Sequence, residues 1–87
     1  MRFFDLRQKE VINIKDGCRM GFVSDVELDK VTGGVKRIII PGPARILGVF
    51  GREQEYRVDW AAVKQIGDDI ILVECDTDKV LTDGEDM

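Results

Sequence analysis

A chain of 87 residues is long enough for one domain with one modest core. Its hydrophobic share of 44% is ordinary for a globular protein, and no apolar run approaches the roughly 18 residues a membrane helix needs. The net charge of −4 resides at the end of the chain, where Asp76, Asp78, Asp83, Glu85 and Asp86 face Lys79, while residues 1–75 balance twelve acids with twelve bases. A neutral body argues against a strongly electropositive nucleic-acid binder.

At the start, Arg2 is followed only by Phe3-Phe4 before Asp5, so no secretory signal is predicted and the expected location is the cytoplasm. The cysteines Cys18 and Cys75 have no CxxC spacing, and there is no histidine. A zinc site therefore has too few good ligands, and both thiols are expected to be free. No cofactor is expected.

Residues 1–9 carry Phe3, Phe4 and Leu6 between charges and predict a lead-in strand or a cap over an open barrel end. Residues 10–14 predict a strand through β-branched Val11, Ile12 and Ile14, and Asp16-Gly17 predicts a tight turn. Residues 19–29 read as one strand, with Met20, Phe22, Val26 and Leu28 on one face and a bulge or bend at Gly21. Asp25, Glu27 and Asp29 alternate on its other face. They predict a solvated surface rather than a metal site, since Lys36 and Arg37 of the next strand can pair with them.

Residues 29–34 predict a hairpin loop, and residues 35–40 a strand covered on both faces at Ile38-Ile39-Ile40. Pro41 ends that strand. Residues 41–52, PGPARILGVFGR, then bring Arg45, Ile46, Leu47, Val49 and Phe50 together. Two readings stay open: an exposed patch for a partner or a second copy, or a further strand of the same barrel. The glycines there fit no phosphate-loop pattern.

Residues 53–60 alternate, with Tyr56, Val58 and Trp60 predicted inside. Asp59 is a candidate cap for a single turn over Trp60, which is expected to plug one barrel end. Residues 63–66 and 70–75 complete the strands around a Gly67-Asp68-Asp69 loop. The predicted core is Ile12, Ile14, Phe22, Val26, Ile38, Ile40, Val58, Ile71 and Val73. The domain is expected to span residues 1–80, with residues 81–87 a disordered acidic tail.

The segments KEVINIKDGCRMGFVSDVELD, IIIPG, FGREQEYRVDW and VKQIGDDIILVEC together resemble the PRC-barrel domain, over about residues 5–80. The markers Asp16-Gly17, Gly21, Pro41-Gly42 and Gly51-Arg52-Glu53 occur in order at matching spacing. The resemblance is nearest to the stand-alone YlmC/YmxH group, associated with sporulation. It implies a small all-β, six-stranded SH3-like barrel, with at most single-turn helices, acting as a scaffold or adaptor. It carries over no catalytic or binding residues.

The leading functional expectation is therefore a non-enzymatic protein-interaction module that self-associates through residues 41–52. An RNA- or ribosome-binding module, by analogy with the ribosome maturation factor RimM, is the alternative. It would use Arg37, Arg45, Arg52 and Arg57 as a basic face with Tyr56 for stacking. RimM's separate N-terminal domain is not expected in this chain, which weighs against a ribosomal role. An enzyme would have to rely on carboxylate pairs such as Asp25 with Glu27 or Glu53 with Glu55, without histidine.

Overall fold

The computed structural model describes residues 1–43 and 54–83. Its strands are β1 (Glu10–Asn13), β2 (Arg19–Phe22), β3 (Asp25–Leu28), β4 (Val35–Pro41), β5 (Gln54–Asp59), β6 (Val63–Ile66), β7 (Ile70–Val73) and β8 (Leu81–Asp83). They form two four-stranded sheets: sheet A in the order β2-β1-β7-β6 and sheet B in the order β3-β4-β5-β8. Neighbours are antiparallel except β1 and β7, which run parallel. The helices are single turns: α1 (Phe3–Leu6), α2 (Thr77–Val80) and a 3-10 turn at Trp60–Ala62.

The strand expected over residues 19–29 is in fact two. The chain leaves sheet A after Phe22 and enters sheet B at Asp25. Val23 is buried at the crossing, and the Ser24 N–H donates to the Ile39 carbonyl at 2.8 Å. The register against β1 also slips by one, with Val11 opposite Gly21 but Ile12 opposite Arg19. Met20 is the extra residue of this bulge, and Gly21 takes a φ of 110° that only glycine adopts freely.

One extra residue exchanges the faces of everything beyond it. Met20 points in, and Phe22 is 51% exposed, against the expectation that it belongs to the core. β8 likewise extends sheet B into the stretch expected to be tail, with Leu81 opposite Tyr56 and Thr82 opposite Glu55. These two changes make eight strands among the described residues rather than six, and of the strand or cap expected over residues 1–9 the strand does not form: Phe3–Leu6 is a helical turn with Leu6 buried.

The core between the sheets contains Leu6, Val11, Met20, Val23, Ile38, Ile40, Tyr56, Val58, Ile71 and Val73. Trp60, Val26, Cys18 and Cys75 pack against it half-buried. Two further core assignments are corrected. Ile14 is 50% exposed, and Ile12 points outward from β1, where Val11 and Asn13 point in. Asp59 does not cap the 3-10 turn; its carboxylate accepts from Arg37 Nε at 3.1 Å instead.

These assignments make opposite predictions for similar side chains. Ile38→Ala should destabilise the domain by about 2–5 kcal/mol, the usual range for a fully buried isoleucine. Phe22→Ala should change stability by less than about 1 kcal/mol, because half of its surface is already in water. Denaturant titration of both variants measures this, and a larger loss for Phe22→Ala than for Ile38→Ala contradicts the bulge.

A candidate interaction surface on the outer face of sheet A

The outer face of sheet A depends on the phase of β1. Val11 and Asn13 are fully buried, so Glu10, Ile12 and Ile14 look out. Burying an asparagine is costly unless its amide is satisfied. Asn13 Nδ2 donates to the Cys75 carbonyl at 2.7 Å and to Thr77 Oγ1 at 3.0 Å. Its Oδ1 accepts from the Lys15 N–H at 3.1 Å and the Cys75 N–H at 3.2 Å. Thr77 passes its own hydroxyl hydrogen to Asp16 Oδ2 at 2.8 Å, and Asp16 Oδ1 accepts from the Cys18 N–H at 2.9 Å. The β1–β2 turn, the end of β7 and α2 are thereby tied to one buried amide.

With that phase set, register lays out the outer face in rows. Phe22, Glu10 and Ile70 stand side by side across β2, β1 and β7. The next outward row is Arg19, Ile12, Leu72 and Gln65. Ile14 follows beyond the end of β1, where its N–H donates to the Val73 carbonyl at 2.8 Å. Phe22, Ile14 and Ile70 are exposed, and Ile12 and Leu72 half-exposed. The charge among them is closed on itself. Arg19 Nε and Nη2 each reach one oxygen of Glu10 at 3.0 Å, a bidentate pair.

The outer face of sheet B is built differently. Glu27, Arg37 and Asp59 lie in one row, with Arg37 bonded to both acids. Arg57 Nε pairs with Glu55 at 2.9 Å, and its Nη1 lies 3.9 Å from Glu27. Ile39, flanked in register by Asp25 and Arg57, is only 6% exposed although it points outward. On sheet A, Phe22 and Ile14 remain 51% and 50% exposed.

This arrangement removes parts of the basic face considered for RNA. Arg37 and Arg57 are held in ion pairs, and Tyr56 is buried at 7% exposure, so its ring cannot stack on a base. The acids on β3 and its loop also have separate partners. Glu27 takes Arg37, Asp25 accepts the Val26 N–H, and Asp29 accepts the Val31 and Thr32 N–H groups. Arg45, Ile46, Leu47, Val49 and Phe50 lie outside the described residues, as do Arg52 and Glu53.

Cys18 and Cys75 are free and half-buried on either side of Asn13. Burial first, and then the nearby carboxylates of Asp16 and Asp76, push the Cys75 thiol above its ordinary pKa. That is the opposite of what a reactive thiolate needs. Beside β5 and α2 lies a shallow recess of about 360 Å³, lined in part by Arg37, Arg57, Asp59 and Lys79. Among these described lining residues, Arg37 and Arg57 are paired with acids. Among the described residues every buried side-chain polar atom has a partner, and no three His, Cys, Asp or Glu side chains stand together as a metal would require.

A family model of the PRC-barrel domain matches residues 1–80. The chain belongs to the PRC-barrel family. Among its relatives is the probable sporulation protein YlmC of Bacillus subtilis, 35% identical over 69 residues, which are 79% of this chain and 85% of that protein. An uncharacterised protein of Clostridium acetobutylicum is 34% identical over 71 residues, 82% of this chain and 80% of its own. YmxH of Bacillus subtilis, also uncharacterised, is 29% identical over 76 residues, 85% and 88% of the two chains. This PRC-barrel chain is mostly β, with small helices, and no helix among its described residues is long and apolar enough to cross a membrane.

The turns also carry a pH signature. Backbone donation from Cys18 and then the Thr77 hydroxyl hold Asp16 below the ordinary carboxylate range, and the Val31 and Thr32 N–H groups do the same for Asp29. A depressed folded-state pKa gives stability that is present above the unfolded value of about 3.9 and lost as pH falls through the folded value. The double variant Asp16→Asn, Asp29→Asn keeps an acceptor oxygen at each turn but cannot titrate. Denaturant midpoints measured from pH 6 downward should fall less steeply below about pH 4 than in the wild type. An acid limb of unchanged slope contradicts this.

Proposed function

We propose that the protein is a non-enzymatic β-barrel adaptor that works by protein–protein contact and serves a sporulation-related process in the cytoplasm. The observation that carries this reading is the outer face of sheet A. Phe22, Ile12, Ile14, Ile70 and Leu72 are adjacent in register across three strands and reach solvent. Contiguous exposed apolar surface mainly marks places where another molecule binds. A folding requirement accounts for only part of it, because about half of the surface of Ile14 and of Phe22 stays in water. The sporulation context rests on the printed name of the YlmC relative. In the Glu10 row the carboxylate is paired with Arg19, and interface cores are generally depleted of unpaired charge.

Site-specific photocrosslinking in cells tests this. A benzophenone amino acid placed at Ile14 or Leu72 should yield adducts of higher mass on irradiation. The same group at Val31, which is 93% exposed on the hairpin loop of sheet B, should not. No adduct from either sheet A position contradicts the reading.

A further inference from the structure

We infer that residues 77–83, α2 with β8, form a strap that opens and closes as a unit over an otherwise intact barrel, and that the Thr77 hydroxyl is its latch. Burial shows where the strap begins. Ile71 and Val73 of β7 are 1% and 0% exposed, whereas no residue of 74–82 is buried. Val80 and Leu81 pack against the core only half-buried. The chain can therefore lift away beyond Cys75 without emptying the centre of the core, and segments with few buried apolar contacts are the ones that open first. β8 adds little backbone hold. Three residue pairs join it to β5, at Gln54, Glu55 and Tyr56, where β4 meets β5 through five. β8 also lies beyond the residues that the family model matches. Lys79, Val80 and Thr82 of the strap, with Arg37, Arg57 and Asp59 of β4 and β5, line the recess of about 360 Å³, so strap and sheet are not closely packed there.

Thr77 ties the strap down. Its Oγ1 accepts from Asn13 Nδ2 at 3.0 Å and donates to Asp16 Oδ2 at 2.8 Å, so one hydroxyl meets β1 and the β1–β2 turn together. The bond from Thr82 Oγ1 to the Glu55 carbonyl is longer, at 3.3 Å. The bonds that shape α2 are its own: the Lys79 and Val80 N–H groups donate to the Asp76 carbonyl at 3.0 and 3.2 Å, and the Asp78 N–H to Asp76 Oδ1 at 3.1 Å. The turn can thus leave without unravelling. Asn13 keeps its bonds to Cys75 and Lys15 when Thr77 departs, so the phase of β1 survives the opening. Opening turns β5 from an interior strand of sheet B into an edge at Gln54, Glu55 and Tyr56, and a bare edge is the form in which a sheet accepts a further strand. The latch couples a turn of sheet A to that edge. Whatever fixes Asp16 in place keeps the edge covered, and the reverse holds by linkage.

Native-state hydrogen exchange of the full chain, followed by nuclear magnetic resonance in rising but non-denaturing urea, tests this. The hydrogen-bonded amides of β8 should share one opening equilibrium. They should exchange at least about 100-fold faster than the Ile38 and Ile39 amides of β4, which lies between two strands, and with little dependence on urea. Thr77→Val should lower the protection of β8 about fivefold, the usual worth of one hydrogen bond, and Thr77→Ser, which keeps the hydroxyl, should match the wild type. β8 amides that exchange at the rate of Ile38 and with its urea dependence would show a single cooperative unit and overturn the strap. β8 amides with no protection at all overturn it too, since a closed strap must protect them. Unchanged β8 protection in Thr77→Val, or a loss in Thr77→Ser as large as in Thr77→Val, overturns the latch. The wild-type measurement stands by itself if a variant fails to fold.

Discussion

The buried amide of Asn13 is the constraint on which the rest of the structure depends. β1 lies between β2 and β7, so its phase sets the facing of sheet A. Hydrophobicity alone would turn Ile12 and Ile14 inward and leave Asn13 in water. The observed phase does the reverse and buries Val11 with Asn13. It is tolerable because both ends of the amide are bonded, to Cys75, Thr77 and Lys15. An unbonded amide at that position would cost about 1–3 kcal/mol, and a one-residue slip would abandon the whole network.

The cost of that phase appears on the surface. Two isoleucines that could have enlarged a small core stand outside it, beside a phenylalanine expelled by the Met20–Gly21 bulge. Sheet B differs: its outward isoleucine, Ile39, flanked in register by Asp25 and Arg57, is nearly buried. The two outer faces thus follow different rules within one domain. Local preference and final structure agree over most of the chain and part company on this face. Such disagreements collect at functional sites.

Much of the fold was legible in the sequence. The spans of β4 and β6, the turns at Asp16-Gly17 and Gly67-Asp68-Asp69, the 3-10 turn after Asp59 and the family itself follow from alternation, turn chemistry and ordered motifs. Ile38, Ile40, Val58, Ile71 and Val73 are core as expected. The misses share a cause. A bulge at residues 20–21 and a sheet change at residues 23–24 exchange faces without disturbing composition, so periodicity read through them placed Phe22 on the wrong side. The phase of β1 escapes the local pattern because the Cys75 and Thr77 partners of Asn13 lie about sixty residues away. The candidate surface was therefore hidden among residues assigned to the core. One signal was available: Asn13 stands among β-branched residues at the phase of Val11.

The functional account follows from that phase. If Asn13 is the inward residue, the apolar side chains of β1 face solvent or a partner. If it is not, the surface does not exist. Nuclear magnetic resonance on the labelled chain tests this most directly, through exchange of the Asn13 carboxamide protons and the through-space contacts of the isoleucine methyls. Slow exchange at Asn13 Nδ2, contacts from those protons to Thr77, and no contact between the Ile14 methyls and Val58 or Ile38 are the predicted result. Freely exchanging Asn13 protons, with Ile12 and Ile14 methyls against Val58 and Ile38, would contradict it.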